Sequence, residues 1–159
     1  MFDNVLIVCH ANVCRSPAAE MLFKAQQARA AAAACVSQTA GAARRTIRFH
    51  SAGIRAVNGY GMDPVMRRLL AERGITPGLH HARRLNRQFV RDADLVLVTE
   101  RCQVKDVEAL EPTSRGKVYP LGKWEGSDVT DPHGGVEAAY RESFALIEHL
   151  VMGWLDKIC

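Results

Sequence analysis

The sequence has no long hydrophobic run and no secretory leader. Its first aliphatic run is only "VLIV", and no segment of the chain is apolar over the length that a bilayer requires. The N-terminal "MFDN" lacks the basic and the apolar regions of a signal peptide. These absences predict a cytoplasmic protein that does not insert into membranes.

Paired cysteines are also missing. The five cysteines are an odd number, and none of them forms a C-x-x-C pair. A disulfide-stapled secreted domain would be shorter and richer in cysteine, and a zinc knuckle would need such pairs. The cysteines therefore do not indicate a zinc knuckle, and we expect neither a bound metal nor a cofactor.

The excess of positive charge is small. A formal net charge of +4 suits an anionic ligand, but it is too weak and too dispersed to indicate a nucleic-acid partner. The 159 residues suffice for one domain with its own core and are too few for two ordinary domains. Since the chain has no internal repeat and no linker, a single domain over residues 1–159 is predicted.

Strands alternate with helices along the chain. Apolar or alternating runs predict strands at 5–9, 46–53, 94–98 and 117–121. Helical patterns predict helices over 16–35, 64–74, part of 80–93, about 100–110 and about 135–157. This order indicates an α/β fold, a single-domain three-layer sandwich whose central four-stranded parallel sheet has helices on both faces. Ligands of such sheets bind at the carboxyl ends of the strands, where Cys9 is located.

The stretch "VCHANVCRSP" (8–17) joins the first strand to the first helix through a short loop. Ser16 and Pro17 are predicted to be the N-cap and first residue of that helix. Loop amides and a helix N-terminus together bind anions, and Arg15 can bind two phosphate oxygens at once. The same electrostatic field favours the thiolate of a cysteine at the mouth of the loop. We therefore predict a phosphate-binding loop after the first strand, with Cys9 as a nucleophile beneath the phosphate.

A bare C-x5-R pattern is common, but its context here is specific. "VCHANVCRSPAAE" resembles the phosphate loop of the low-molecular-weight protein tyrosine phosphatases. The similarity continues in order along nearly the whole chain, through "SAG", "GMDP", "HHAR", "DLVLVTE" and "DPHGG". "VNGYGMDP" and "GKVYPLGKW" look most like the bacterial branch linked to capsule and exopolysaccharide production.

The resemblance implies a catalytic role for three residues. Cys9 would attack phosphorus and form a phosphocysteine, while Arg15 and the loop amides would bind the oxygens on which charge develops. Asp131 would protonate the leaving phenolate and then act as a base toward water. By sequence alone Asp63 has equal standing, since each aspartate precedes a proline; only the family order selects Asp131, and Asp63 is predicted to be an N-cap.

The resemblance also implies a set of substrate-binding and supporting residues. The substrate-binding loop would comprise His10, Ala11, Asn12, Val13, Cys14, Arg15 and Ser16. Ser16 would donate a hydrogen bond to Cys9. Asn12, which tolerates left-handed backbone angles, would shape the loop with support from Ser51 and His80, although plain loop packing is an alternative for the last two. Cys14 could form a reversible disulfide with Cys9 or simply pack in the core, and the sequence leaves both open.

Four features depart from the usual family pattern. His10, next to the nucleophile, could stack on the substrate ring or be an exposed bystander, and both are left open. Ala11 replaces a glycine and would crowd the loop if its φ were positive. His133 follows Asp-Pro where an aromatic residue is usual, so the wall beside the substrate ring is expected to be more polar. The Ala-rich helix and the polar stretch after it lengthen the first helix-to-strand connection. Activity is still expected, with an altered specificity.

Three other functions compete with tyrosine phosphatase activity. Related arginine phosphatases have threonine at the position of Val13, so an apolar residue there argues against that activity. An arsenate reductase needs two further cysteines near one another, and only Cys102 lies in mid-chain. A phosphocarrier of the sugar phosphotransferase type needs neither Arg15 nor Asp131.

The preferred reading is therefore a protein-tyrosine phosphatase that releases inorganic phosphate. The branch resemblance implies a substrate, the phosphotyrosine-rich tail of a bacterial membrane tyrosine kinase in a polysaccharide system. A monomer or weak dimer is expected.

Overall fold

The computed structural model describes residues 1–36 and 45–159, and within those ranges it contains four strands and five α-helices. The strands are β1 (Asn4–Cys9), β2 (Arg48–Gly53), β3 (Leu95–Val98) and β4 (Val118–Pro120). The α-helices are α1 (Arg15–Val36), α2 (Pro64–Glu72), α3 (Arg87–Asp92), α4 (Cys102–Leu110) and α5 (Glu137–Ile158). A 3₁₀ turn at Pro112–Ser114 precedes β4. None of the helices in the described ranges is long and apolar enough to cross a bilayer.

The strands form one parallel sheet in the order β2-β1-β3-β4. The chain leaves β1 for β2 on one side and later returns to β3 on the other side. The loop after β1 therefore lies where the strand order reverses, which is the usual ligand position in such sheets. The predicted α/β fold with its four-stranded parallel sheet is confirmed.

Alternate residues of β1 supply two separate cores. Val5 and Ile7 pack with α1, α2 and α5 on one face of the sheet. Leu6 and Val8 pack with α3 and α4 on the other face. Successive side chains of a strand point to opposite faces, and both faces are covered here, so an uninterrupted apolar run is what β1 requires.

Two expectations about helix starts have different outcomes. Asp63 is the N-cap of α2, as predicted, and accepts hydrogen bonds from the N–H groups of Val65 and Met66. The N-cap prediction for Ser16 is wrong, because α1 already begins at Arg15. The Ser16 hydroxyl contacts the Cys9 sulfur instead, as described below. Most of the polar stretch predicted to lead back to β2, at 36–45, lies outside the described residues, which omit 37–44.

Candidate active site

Asn12 determines the shape of the loop between β1 and α1. Within the described residues it is the one non-glycine residue with a positive φ, at 58°. Asparagine tolerates this conformation better than most residues do. Its buried side-chain Oδ1 accepts a hydrogen bond from the Arg83 main-chain N–H at 2.9 Å. Its main-chain carbonyl oxygen lies 2.7 Å from His80 Nε2. The structure thus brings the predicted residue His80 into contact with Asn12.

A chain of hydrogen bonds runs from a buried carboxylate to Cys9. Ser51 Oγ donates to Glu20 Oε1 at 2.6 Å and accepts from Asn12 Nδ2 at 2.9 Å. Asn12 Nδ2 also donates to Ser16 Oγ at 2.9 Å, and Ser16 Oγ lies 2.9 Å from Cys9 Sγ.

The carboxylate fixes the direction of this chain. An ionised Glu20 accepts only, so the single Ser51 proton must point toward it and Ser51 must accept from Asn12. Ser16 accepts from the same amide, which leaves its own proton for Cys9 Sγ. The Asn12 main-chain N–H also points at this sulfur, at 3.3 Å. The Cys9 sulfur thus accepts hydrogen bonds from two donors.

Sequence reasoning did not predict a role for Glu20. The available signal was its position four residues after Ser16, which places both residues on one face of α1. Glu20 is buried and forms an ion pair with Lys24 at 2.8 Å. Its carboxylate is thus paired and hydrogen-bonded, as a buried charge requires.

Arg15 is buried at the carboxyl end of the sheet. Its NH1 donates to the Val129 carbonyl oxygen at 2.9 Å and lies 3.1 Å from Glu100 Oε2. Its NH2 lies 3.7 Å from Asp131 Oδ2. Glu100 follows β3 and was another residue that sequence reasoning missed, although the carboxyl end of a neighbouring strand is where such a partner is expected.

The two aspartates that precede prolines, Asp63 and Asp131, have different environments in the structure. The Asp131 side chain is 49% exposed and faces Arg15, while that of Asp63 is 3% exposed. Burial alone would raise the pKa of Asp63, but hydrogen bonds from Tyr140, His133 and two main-chain N–H groups outweigh it and hold that pKa below its usual range. Asp63 is therefore a buried, ionised carboxylate whose oxygens are hydrogen-bonded, whereas the Asp131 carboxyl is half exposed beside Arg15.

Gly53, at the end of β2, contacts the phosphate loop directly. A Cβ at this position would lie 2.8 Å from each of three main-chain atoms, the carbonyl carbon of Ala11, the nitrogen of Asn12 and the oxygen of His10. Ala11 itself is not among the residues with positive φ in the described chain, so the crowding considered for its methyl group does not arise. Its replacement of glycine is therefore compatible with the loop.

The loop presents hydrogen-bond donors without protein acceptors. Among the described residues, no main-chain carbonyl accepts from the N–H groups of Ala11, Val13, Cys14 or Arg15. Such groups at a helix N-terminus bind anions. The side chain of His10, the remaining predicted loop residue, is exposed at the mouth.

Cys14 is buried among the core residues of α1 and α2. Burial, with the negative charges of Asp63, Cys9 and Asp131, raises the pKa of the Cys14 thiol. Cys9 and Cys14 are both free thiols in this structure, and a disulfide between them stays a prediction. Within the described ranges, no group of three or more His, Cys, Asp or Glu side chains is arranged to hold a metal ion.

Comparisons with known proteins agree with this geometry. The sequence model of the family described as low molecular weight phosphotyrosine protein phosphatase matches residues 4–159. The low molecular weight protein-tyrosine-phosphatase Ptp of Acinetobacter johnsonii is 33% identical over 157 residues, which cover 99% of this chain and 99% of that protein.

Two solved structures have the same fold. The tyrosine phosphatase Wzb from Escherichia coli K30, in complex with sulphate, matches with a TM-score of 0.85 and 25% identity over 100% of both chains. The YwlE arginine phosphatase from Geobacillus stearothermophilus matches with a TM-score of 0.82 and 25% identity over 98% of this chain and 92% of that chain. Since one family model covers nearly the whole sequence, the chain belongs to the low molecular weight phosphotyrosine protein phosphatases, a family of phosphoric monoester hydrolases, on the bacterial branch that the resemblance indicated.

Proposed function

We propose that this chain hydrolyses protein phosphotyrosine in two steps through a phosphocysteine on Cys9. The observation that carries the proposal is the surroundings of the Cys9 sulfur. The sulfur lies 2.9 Å from the Ser16 hydroxyl and receives the Asn12 N–H at 3.3 Å, below a loop of unpaired amides. Arg15 is the neighbouring buried cation. This is the arrangement of a thiolate nucleophile under a bound dianion.

In the first step the thiolate attacks phosphorus. The new S–P bond forms as the P–O bond to the tyrosine breaks, and Asp131 in its protonated form gives its proton to the phenolate oxygen. The amide groups of residues 10 to 15 and the Arg15 guanidinium bind the phosphoryl oxygens while charge spreads over them. Ser16 stabilises the thiolate before attack.

In the second step water hydrolyses the phosphocysteine. Asp131, now a carboxylate, takes a proton from the water as its oxygen attacks phosphorus. The S–P bond breaks, inorganic phosphate leaves, and Cys9 returns to the thiolate. Asn12, Ser51 and His80 act indirectly, because their hydrogen bonds hold the loop and orient the Ser16 proton.

An aromatic leaving group suits this site. Val13 lies in the phosphate loop and is partly buried against the apolar core, so the rim presents apolar surface. Phosphoserine is too short to bring its phosphorus to the Cys9 sulfur, since Cys9 is only 2% exposed. The apolar Val13 also favours phosphotyrosine over phosphoarginine, the substrate class named for YwlE.

The protein substrate is proposed from similarity rather than from the site. The likeness to Wzb and to the capsule and exopolysaccharide branch supports the phosphotyrosine-rich tail of a membrane tyrosine kinase that regulates polysaccharide synthesis and export. We place the reaction in the cytoplasm, in a single domain spanning residues 1–159 that acts as a monomer or weak dimer without a cofactor. A Cys9→Ser variant should retain such a phosphorylated tail in a pull-down, whereas an unphosphorylated tail should pass through.

Phosphate release from matched phosphotyrosine, phosphoarginine and phosphoserine peptides tests the activity. We expect fast turnover of phosphotyrosine, no turnover by Cys9→Ser, and a loss of about 10²- to 10⁴-fold in Asp131→Asn. Preference for phosphoarginine would refute the argument from Val13. Failure of the wild type to release phosphate from any peptide would refute the enzymatic proposal and favour a carrier role.

A further inference from the structure

We infer that His133 is a positioning residue that orients Asp131 above the nucleophile, an inference that rests on the proposed general-acid role of Asp131. Two contacts carry it. The His133 main-chain N–H donates to Asp131 Oδ1 at 3.1 Å. The His133 ring bonds through Nδ1 to Asp63 Oδ2 at 2.9 Å. His133 thereby connects the exposed carboxyl of Asp131 to the buried, hydrogen-bonded carboxyl of Asp63.

Asp63 is a rigid anchor because three parts of the fold converge on it. It caps α2 through Oδ1, and the Tyr140 hydroxyl of α5 donates to its Oδ2 at 2.8 Å. Its own main-chain N–H donates to the Val13 carbonyl in the phosphate loop at 2.8 Å. His133 therefore fixes the Asp131 segment relative to the same loop that binds the phosphate.

The ring contact has a defined donor. Asp63 is an acceptor-only carboxylate, so His133 Nδ1 carries the proton and Nε2 is the other, open nitrogen of a ring that is 61% exposed. The next residue is held as well, since the Gly134 N–H donates to the Tyr140 hydroxyl at 3.1 Å. The segment after Asp131 is thus fixed by one side-chain and one main-chain contact.

Asp131 needs such support because little else restrains it. Its side chain is 49% exposed, and its nearest ionic partner, Arg15 NH2, lies at 3.7 Å. The His133 N–H engages Oδ1, which leaves Oδ2 facing Arg15, the side chain proposed to bind the phosphate. Proton transfer depends on a short, well-aligned contact, so loss of this orientation should slow the transfer while leaving phosphate binding intact.

Leaving-group dependence separates positioning from general structural damage. Phenyl phosphate needs a proton at its departing oxygen, whereas 2,4-dinitrophenyl phosphate does not. We expect His133→Ala to lower kcat/KM, which reports the first step alone, about tenfold on phenyl phosphate and less than about twofold on 2,4-dinitrophenyl phosphate. In His133→Asn the amide can replace Nδ1 as the donor to Asp63, so most of the loss should be recovered. His149→Ala is the matched control, because that ring is 65% exposed and also pairs with a carboxylate, Glu125.

The outcomes are distinguishable from one another. An equal loss on both substrates in His133→Ala, or no loss on either, would overturn the positioning role. Absence of rescue by His133→Asn would overturn the ring contact as its cause. If Asp131→Asn showed no dependence on the leaving group, the general-acid assignment would fail and this inference with it. If Asp131→Asn lost kcat/KM on phenyl phosphate selectively and His133→Ala did not, only this inference would fail. The burst of dinitrophenolate reports the folded, active fraction of each variant.

Discussion

Replacing Gly53 by alanine should displace the phosphate loop. The new Cβ would lie 2.8 Å from three main-chain atoms of residues 10 to 12, and a comfortable contact between carbon atoms is about 3.5 Å or more. Main-chain atoms cannot rotate away. They are also held in place, because the Ile54 N–H donates to the Cys9 carbonyl at 3.0 Å and the Arg55 N–H donates to the His10 carbonyl at 2.8 Å. The loop must therefore move by about 0.7 Å or more.

Both stability and catalysis should respond to Gly53→Ala. Overpacking of this kind costs about 1–3 kcal/mol of unfolding free energy. A displacement of about 1 Å at a reacting centre can cost about 100-fold in rate, so we expect kcat/KM on a phosphotyrosine peptide to fall by about 10- to 100-fold. Inhibition by inorganic phosphate should weaken in parallel, since the displaced amides bind the same oxygens.

Gly61→Ala is the matched control. Apart from the chain neighbours of Gly61, no heavy atom of the described residues lies within 4 Å of a Cβ built there, and its φ is not positive, so the added methyl group should be tolerated. Urea denaturation and steady-state kinetics are measured for both variants. If Gly53→Ala matched Gly61→Ala in stability, turnover and phosphate inhibition, the close approach of β2 to the loop would not constrain the site, and the reasoning would be wrong.

Three further predictions concern buried polar groups. Burial, followed by the charges of Arg48 and Arg83, lowers the pKa of His50 from 6.5 to about 4. Because the unfolded chain binds a proton first, the free energy of unfolding should fall as the pH drops from 6.5 toward 4, by at most about 2 kcal/mol after solvent screening. His50→Gln should flatten this loss in urea titrations. Asp63→Asn should lower the free energy of unfolding by about 1–3 kcal/mol at pH 7. Since the pKa of Asp63 is depressed in the folded state, the difference in unfolding free energy between variant and wild type should shrink below pH 3.8. A difference independent of pH would contradict this. In Glu20→Gln the side-chain amide can donate as well as accept, so the direction of the hydrogen-bond chain to Cys9 is no longer fixed. We expect kcat to fall by about three- to tenfold on every aryl phosphate. An unchanged kcat would show that Glu20 has no part in the mechanism.

Local pattern was sufficient to predict the sheet and the position of its loop. The apolar run of β1 lies between two covered faces, and the sequence after Cys9 shows a loop and then a helix start. Each of these features depends on neighbours in the sequence. The strand and helix limits accordingly differ from the predicted ones by only a few residues.

The supporting residues could not be predicted in the same way. Glu20 matters because β2 places Ser51 beside it, and Glu100 matters because β3 places it beside Arg15. Their roles follow from strand order, which no local pattern encodes. The two Asp-Pro pairs show the same limit, since burial and hydrogen bonding, and not spacing, make Asp63 an anchor.

His133 was recognised from the sequence only as a departure from an aromatic residue. Its contact with Asp63 joins positions 70 residues apart, so it could not be predicted before the fold was known. The structure adds a specific bond from His133 to the N-cap of α2, while the more polar wall beside the substrate ring stays a prediction. Through Asp63, His133 connects the segment proposed to carry the general acid to the phosphate loop.

Trapping the covalent intermediate tests the central claim most directly. Asp131→Asn is mixed with 2,4-dinitrophenyl phosphate, which does not need the general acid for the first step but does need the base for the second, and the reaction is quenched in acid during turnover. The account predicts one added phosphoryl group, mapped by peptide mass spectrometry to Cys9 and absent from Cys14. Dinitrophenolate release without any phosphorylated Cys9, or phosphate found on another residue, would contradict the account.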